Sequence, residues 1–285
     1  MKLSMEIYTV AERFGDLRAV ELIKDAGFDA IDYSFYYNKE CEAVLGENYR
    51  KYAQDLKAHL DRIGIECNQA HAPFTFQYGM RMAPDEKKYL SIIRSLEAAA
   101  ILGAKNIVVH SISVPDDVDF VKYNVEYYRS FIPYCEKLGI CVAVENLCKK
   151  DPVTKQFRSK FCAPEELNGI VKKIASPWVV ACVDVGHAAL MRFAPQDFLN
   201  DMDADVLKCL HIQDNDYIAD RHLLPYSGQL NWTAIMTALK SKGYAGDLTL
   251  EIVKHIDLYP NELIPNVLKF ASAVGRHLIS IYENA

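Results

Sequence analysis

Eight short apolar segments alternate with eight longer amphipathic segments along this chain, and this alternation limits the folds open to it. The apolar segments read as buried strands: Leu3–Tyr8, Ala30–Ser34, Ile65–Ala70, Asn106–His110, Ile140–Glu145, Val179–Asp184, Leu207–His211 and Asp247–Ile252. Helical periodicity covers Gly15–Ala26, Asn48–Ile63, Pro84–Leu102, Asp117–Leu138, Ala163–Ile174, Pro195–Asn200, Trp232–Lys242 and Asn261–Tyr282. Strict alternation implies parallel strands with right-handed crossovers. Eight such units predict an α/β fold, a closed (β/α)8 TIM barrel.

No Ser/Gly-rich linker, charge block or low-complexity tract divides the chain, so we expect one domain over residues 1–285. The last helical segment is apolar on more than one side. It could therefore cover the barrel or join the interface of a homo-oligomer.

The net charge of −6 lacks the overall basic character that nucleic-acid binding favours. No apolar run reaches the length of a membrane span, and the first residues do not resemble a secretion signal. The eight cysteines include no Cys-x-x-Cys pair. We therefore expect reduced thiols and a cytoplasmic protein that does not enter a membrane.

Four of the strand-like runs end at or beside a side chain that can bind a divalent cation. These side chains are Glu145 in VAVENL, Asp184 in VDVGH, His211 in CLHIQD and Glu251 in LTLEI. In a TIM barrel the active site lies at the carboxyl ends of the strands, so the four would meet at one rim. Three carboxylates and one imidazole suit Mn²⁺, Mg²⁺, Co²⁺ or Zn²⁺, and the donor types alone do not select among them.

Five further polar residues fall on the same predicted rim. His71 and His110 follow or end strands three and four, His187 lies just after Asp184, and Asp220 and His222 lie in the loop after strand seven. Loops at this face of a barrel carry function, so we expect His71, His110 and His187 to contact substrate. Asp220 and His222 are candidates for an additional metal site.

With these residues in view, the chain resembles the xylose isomerase-like TIM-barrel superfamily, and within it the sugar phosphate isomerase and epimerase group. The resemblance spans the whole chain and is carried by VENL, DVGH, HIQDN and the loop DRHLLPYSGQLNW. It implies that the positions of Glu145, Asp184, His211 and Glu251 hold a catalytic metal. It also implies that the two glutamates act as acid and base. The position of His187 contacts sugar oxygens in relatives.

The resulting hypothesis is a metal-dependent isomerase or epimerase of a small sugar or related hydroxy-ketone. Proton abstraction by Glu145 or Glu251 would give a metal-stabilised cis-enediolate, and His187 and Arg221 would position substrate oxygens. The chain departs from ketose 3-epimerases in the segment ENLCKKDPVTKQF, which lacks their further glutamate. Its Pro225-Tyr226-Ser227-Gly228 also replaces the usual Pro-Gly-Glu-Gly. Both differences concern the substrate more than the scaffold.

Three alternatives remain open at this point. The first is an inosose-type dehydratase or lyase that uses the same site. The second is a metal-stabilised barrel that binds a sugar without turnover. The third is an abasic-site endonuclease with a three-zinc cluster, since nine residues match that cluster: His71, His110, Glu145, Asp184, His187, His211, Asp220, His222 and Glu251. Against the endonuclease stand the acidic net charge and the lack of that family's glycine-rich segment after strand five.

Overall fold

The computed structural model describes residues 1–35, 46–74, 78–151, 153, 154, 156, 157 and 159–285. Its strands are β1 (Leu3–Glu6), β2 (Ala30–Ser34), β3 (Glu66–His71), β4 (Asn106–Val108), β5 (Cys141–Glu145), β6 (Val179–Asp184), β7 (Leu207–His211) and β8 (Leu248–Leu250). The helices of the described residues are α1 (Tyr8–Phe14), α2 (Asp16–Asp25), α3 (Tyr49–Ile63), α4 (Lys87–Leu102), α5 (Phe120–Arg129), α6 (Ile132–Leu138), α7 (Pro164–Ile174), α8 (Val185–Leu190), α9 (Pro195–Asp201), α10 (Trp232–Ser241), α11 (Val253–Ile256), a 3-10 turn (Asn261–Leu263) and α12 (Ile264–Asn284).

The strands form one parallel sheet that closes on itself. Strands β1 to β7 lie side by side in chain order, and β8 pairs with the free edge of β1. Two backbone hydrogen bonds join the last two edges, just beyond the end of β7 and along β8. Ile212 N donates to Thr249 O (2.8 Å), and Glu251 N donates to Ile212 O (3.0 Å). The predicted (β/α)8 barrel is confirmed.

Alternation along β6 shows how the fold delivers a polar side chain to the rim. Successive side chains of a strand point to opposite faces. Val179 and Val183 join the large core that packs against the helices. Val180 and Cys182 belong to a separate small apolar cluster inside the barrel. Asp184 is the next residue on that inner face, so it projects from the carboxyl end of the strand into the barrel mouth.

Several element bounds differ from the sequence prediction. The helix predicted over Asp117–Leu138 is two helices, α5 and α6, since Pro133 lies in the first turn of α6 and its ring cannot continue a preceding helix. The first predicted strand ends at Glu6 because Tyr8 already begins α1. Strand β4 ends at Val108, before His110. The short helix α8 follows β6 directly, α11 follows β8 after two intervening residues, and neither helix was predicted.

The final helix α12 packs against α2, α10, β1 and β8, so it covers the barrel. Its approach to β1 is close: a Cβ on Gly275 would lie 2.4 Å from Leu3 Cδ1. None of the helices in the described residues combines the length and apolar character that crossing a bilayer requires. The seven cysteines within the described residues are free thiols, and Cys41 lies outside them.

Candidate metal centre

Four side chains from the ends of the last four strands converge in the barrel mouth. Glu145, Asp184 and His211 are the final residues of β5, β6 and β7, and Glu251 directly follows β8. One ligand atom from each lies within 4.8 Å of the others. His211 Nδ1 is 2.8 Å from Glu145 Oε1 and 3.5 Å from Glu251 Oε2. The sequence placed these four residues at one rim, and the structure brings them together.

The charges of this group are strongly coupled because all four side chains are buried. Burial raises the pKa of Asp184 to about 7, against the opposing effect of His187. Burial alone would lower the pKa of His211, but the Glu251 and Glu145 carboxylates raise it well above its usual value. Burial would raise the pKa of Glu145 and Glu251, but His211 and neighbouring histidines hold both below the usual range. The group therefore concentrates negative charge that needs a positive partner.

Three of the histidines at the mouth fix one ring nitrogen against the backbone and present the other. The Nδ1 atoms of His71, His187 and His222 lie 2.9, 3.0 and 3.2 Å from the backbone carbonyl oxygens of Ala72, Asn146 and Glu251. A carbonyl oxygen only accepts, so Nδ1 carries the proton and donates. In the neutral ring Nε2 then carries the lone pair, which is how proteins commonly hold metal-binding imidazoles. Burial lowers the pKa of His187 and His222, but nearby carboxylates raise both above the usual value, so a metal bound at Nε2 of either ring would displace a proton.

His211 has the opposite arrangement. Its Nδ1 faces the glutamates, and its Nε2 lies 3.3 Å from Asp32 Oδ2. Asp32 is fully buried in β2 and also accepts a hydrogen bond from Gln69 Nε2 (2.6 Å). Its carboxylate therefore orients the His211 ring. Asp32 was missed in the sequence because it lies inside the run Ala30–Ser34 and not at its end; a charged residue within an apolar run was the signal available.

Glu6 is a second buried carboxylate that the sequence reasoning missed. It ends β1, and its Oε1 accepts hydrogen bonds from Ser34 Oγ and from Tyr8 N. Burial raises the pKa of Glu6 well above its usual value. The sequence prediction continued this strand to Tyr8, so Glu6 lay inside the run and its strand-end position emerged only from the structure.

Two further groups of potential ligands flank the central four. His71, His110 and Glu145 form one, with His110 Nε2 2.8 Å from Glu145 Oε2 and 3.0 Å from His71 Nε2. Cys148, His187 and Asp220 form the other. His222 lies beside the second group, with its Nε2 3.1 Å from Asp220. Cys148 was not among the predicted site residues, although it follows Glu145 by only three positions.

A cavity of about 1000 Å³ opens above these groups. His71, His110, Glu145, His187, Asp220, His222 and Glu251 line it, whereas Asp184 and His211 lie beneath its surface. Arg221 is not among its described lining residues. The Arg221 side chain is half exposed, and its Nε donates to Asp216 Oδ2 at 2.6 Å. The structure thus turns Arg221 away from the place where the sequence expected a substrate contact, and that role stays a prediction.

Two glycines permit the packing beneath this cavity. A Cβ on Gly186 would lie 2.4 Å from Gln213 Cδ, so the bare glycine gives this amide its place. Gln213 Nε2 then donates to Asp220 Oδ1 at 3.1 Å and lies 3.3 Å from Asp184 Oδ2. The Gln213 side-chain amide thus links Asp184 to Asp220. At the second glycine, Gly228, a Cβ would lie 2.3 Å from Asp214 Oδ1.

Comparison with known proteins places this geometry in a family. The sequence model of the xylose isomerase-like TIM barrel family matches residues 20–273 of this chain. The chain belongs to the xylose isomerase-like TIM barrel family. The resemblance that VENL, DVGH and the loop after strand seven indicated is therefore confirmed.

Relatives of this xylose isomerase-like barrel include a fructoselysine 3-epimerase and uncharacterised proteins. Fructoselysine 3-epimerase of Escherichia coli O157:H7 is 27% identical over 129 residues, 45% of this chain and 43% of that protein. An uncharacterised protein of Sinorhizobium fredii is 29% identical over 164 residues, and the chain spans half of its length.

Solved structures share the fold over the whole chain. A D-tagatose 3-epimerase-like protein superposes with a TM-score of 0.76 at 22% identity, covering 100% of this chain and 99% of that one. The IolI protein with a bound zinc atom gives a TM-score of 0.72 at 18% identity, covering 100% and 99%.

In this xylose isomerase-like barrel the central four residues fit a divalent cation. Glu251 Oε2 is buried and has no hydrogen-bond partner among the described residues, so it retains capacity for a ligand bond. Oxygen donors with one imidazole suit Mn²⁺, Mg²⁺, Co²⁺ and Zn²⁺ alike. The positioning of His211 by Asp32 adds the supporting contact that metal-binding histidines usually have.

Proposed function

We propose that this barrel is a divalent-metal-dependent isomerase or epimerase of a small sugar or a related hydroxy-ketone. One observation carries the proposal. Glu145 and Glu251 belong to the candidate ligand group and also line the cavity, whereas Asp184 and His211 are fully buried beneath it. Two ligands therefore anchor the cation, and two can also reach a substrate carbon. The activity of a similar protein, fructoselysine 3-epimerase, supports the same chemistry.

A divalent cation held by the four side chains would polarise a substrate ketone and acidify the neighbouring C–H bond. The chain's own part is proton transfer. One of Glu145 and Glu251 removes the proton, and the other returns it: to the opposite face of the same carbon in an epimerisation, or to the adjacent carbon in an isomerisation. Glu145 and Glu251 extend from β5 and β8 and meet at His211 Nδ1, so they approach from different sides of the mouth.

The two glutamates have different surroundings, which gives each a distinct part. His110 Nε2 lies 2.8 Å from Glu145 Oε2, so this imidazole can carry a proton between Glu145 and the cavity. Glu251 lines the cavity itself and can take a proton directly from a substrate held there. His71 and His187 line the same wall and are placed to hold substrate hydroxyl groups.

The cavity volume bears on the substrate. About 1000 Å³ is at the upper end of the range for small-molecule sites, roughly 300–1,000 Å³. That space accommodates a sugar that carries a second group. Substrate trials should therefore include substituted ketoses as well as free ones.

The test is proton exchange in D₂O. Metal-loaded protein is offered ketoses, ketose phosphates, keto-glycosides and inosose-type ketones, and NMR follows loss of the C–H signal beside the carbonyl. We expect deuterium incorporation together with an isomer or epimer. In Glu251→Gln the exchange should fall by about 10²-fold or more, the scale of general acid–base catalysis. Glu165→Gln, an exposed glutamate on α7, is the matched control and should exchange like the unaltered protein.

Other outcomes assign the alternatives. Loss of water from the ketone indicates a dehydratase, and tight sugar binding without exchange indicates a binding protein. Cleavage of abasic duplex DNA indicates the endonuclease. Undiminished exchange in Glu251→Gln would remove Glu251 from the acid–base role.

A further inference from the structure

We propose that the outer end of the cavity binds an anionic group of the substrate, a phosphate or a carboxylate, through Lys149 and Lys160. The inference rests on the proposed function, because it names the class of ketose that the same cavity accepts. Both lysines line the cavity and are exposed at its opening. Among the lining residues that the structure describes, no arginine and no third lysine occurs. The two ammonium groups are therefore the permanent positive charges of this wall.

The two ends of the cavity differ in charge. The inner end carries the carboxylates of Glu145, Asp220 and Glu251. The outer end is formed by the loops after β4 and β5, whose exposed or half-buried polar side chains there are Ser111, Ser113, Asp116, Lys149, Ser159 and Lys160. Asp116 offsets one of the lysines, so the outer end keeps a net positive charge. An anion on the substrate is repelled by the inner carboxylates and attracted to the outer end.

The ammonium groups of both lysines are available to a ligand. Neither forms an ion pair within the part of the chain that the structure describes, and Lys160 Nζ lies 5.8 Å from the centre of the Phe120 ring. The next residue along the chain behaves differently, because Lys150 Nζ donates to Ile218 O at 3.3 Å. Lys150 therefore already has an acceptor, whereas Lys149 and Lys160 can turn toward an anion in the cavity.

The loop after β5 is folded so that both lysines reach the same opening. Lys150 and Phe157 pair as an antiparallel bridge, which places the two arms of the loop side by side. Lys149 lies on the first arm and Lys160 on the second. Phe161 is buried in the core and anchors the second arm. Two like charges on adjacent arms repel each other, and an anion between them relieves this repulsion.

Serine hydroxyl groups beside the lysines add neutral hydrogen-bond donors. Ser111 and Ser113 line the cavity next to the charged pair, and a hydroxyl group can donate to a phosphate or carboxylate oxygen. An anion held at this end leaves the ketone of the same substrate to reach Glu145 and Glu251 at the inner end. The outer contacts thus fix which end of the substrate enters first. They determine specificity without touching the reacting carbon.

The test measures binding without turnover. Calorimetry of metal-loaded full-length protein at low ionic strength, where exposed charges are least screened, compares a neutral hexitol with a hexitol phosphate and a hexonate. None of the three has a ketone that can react. We expect an anionic probe to bind more tightly than the hexitol, and the tighter of the two anions identifies the preferred group. In the double variant Lys149→Gln/Lys160→Gln this preference should fall about 5- to 25-fold, the effect of losing two exposed ion pairs.

Lys150→Gln is the matched control. It removes a positive charge from the same loop, but the Lys150 ammonium group is bound to Ile218 O, so the preference for the anion should remain. Circular dichroism verifies that each variant is folded. An anion that bound the metal ion instead of the lysines would keep its full preference in the double variant.

Equal affinity for the neutral and anionic probes, no binding of either anion, or a preference that survives the double replacement would overturn the proposal. Proton exchange with neutral ketoses tests the isomerase activity separately. The double variant should exchange neutral ketoses like the unaltered protein and show a raised KM for the anionic ketose alone. A failure of the proposed activity is therefore distinguishable from a failure of the anion site.

Discussion

The loop after β7, which carries Asp220 and His222, depends on one buried carboxylate, and its removal provides a quantitative test. Asp214 is fully buried. Its Oδ1 accepts from Asn215 N (2.9 Å) and Leu230 N (3.2 Å), and its Oδ2 accepts from Tyr226 N (2.9 Å) and the Trp232 indole (2.9 Å). The four donors come from both ends of the loop and from the start of α10. The substitution Asp214→Asn therefore acts on the whole loop.

The magnitude follows from counting donors. An asparagine side chain has one acceptor oxygen and one NH₂ group. In either amide orientation the NH₂ group faces two of the four N–H donors, so two buried donors lose their acceptor. Each buried unsatisfied group costs about 1–3 kcal/mol. We expect Asp214→Asn to lower the free energy of unfolding by about 2–6 kcal/mol, a large share of the typical 5–15 kcal/mol.

Urea unfolding of metal-stripped protein, followed by circular dichroism, measures this loss. Asp216→Asn in the same loop is the matched control. The Asp216 side chain is partly exposed, and its Oδ1, which accepts from the backbone of Ile218 and Ala219, has an equivalent in asparagine. The substitution mainly removes the ion pair between Asp216 and Arg221, so we expect a cost below about 1 kcal/mol. Equal costs for the two variants would refute the account of Asp214.

Three further predictions concern the barrel mouth. Asp32→Asn should weaken Mn²⁺ binding about 10–100-fold in calorimetry, because His211 loses its charged partner; unchanged affinity would mean that Asp32 does not orient the ring. Gly186→Ala should cost about 1–3 kcal/mol in urea unfolding, since its Cβ overlaps Gln213; a neutral result would show that the amide moves freely. Metal affinity should increase from about pH 6 to about pH 8, and metal binding should release protons. The raised pKa values of Asp184 and His211 keep protons on these ligands, and the metal must displace those protons. Calorimetry in two buffers measures the proton release, and no release would contradict this prediction.

Much of the fold could be predicted from the sequence because the strands are marked by composition. The bounds of β2, β6 and β7 agree with the prediction, since each is an apolar run ended by a polar residue or a loop. Helix α8 was missed because six residues show no amphipathic period. The break between α5 and α6 was missed although Pro133 marks it.

The site was predictable where a single strand end announces a residue. Glu145, Asp184, His211 and Glu251 each end or follow an apolar strand, and barrel topology then brings them to one rim. Cys148 has no such mark, because its place beside His187 and Asp220 depends on how three separate segments fold over one another. The direction of a long side chain is equally hidden in sequence. Arg221 turns toward Asp216, and only the structure shows that contact.

Anomalous diffraction tests the central claim most directly. Crystals grown with Mn²⁺ or Zn²⁺ are measured at the absorption edge of the metal. We expect one strong peak about 2.0–2.3 Å from donor atoms of Glu145, Asp184, His211 and Glu251 together. A metal-loaded crystal without a peak among these four side chains, or with the metal bound only elsewhere, would contradict the account.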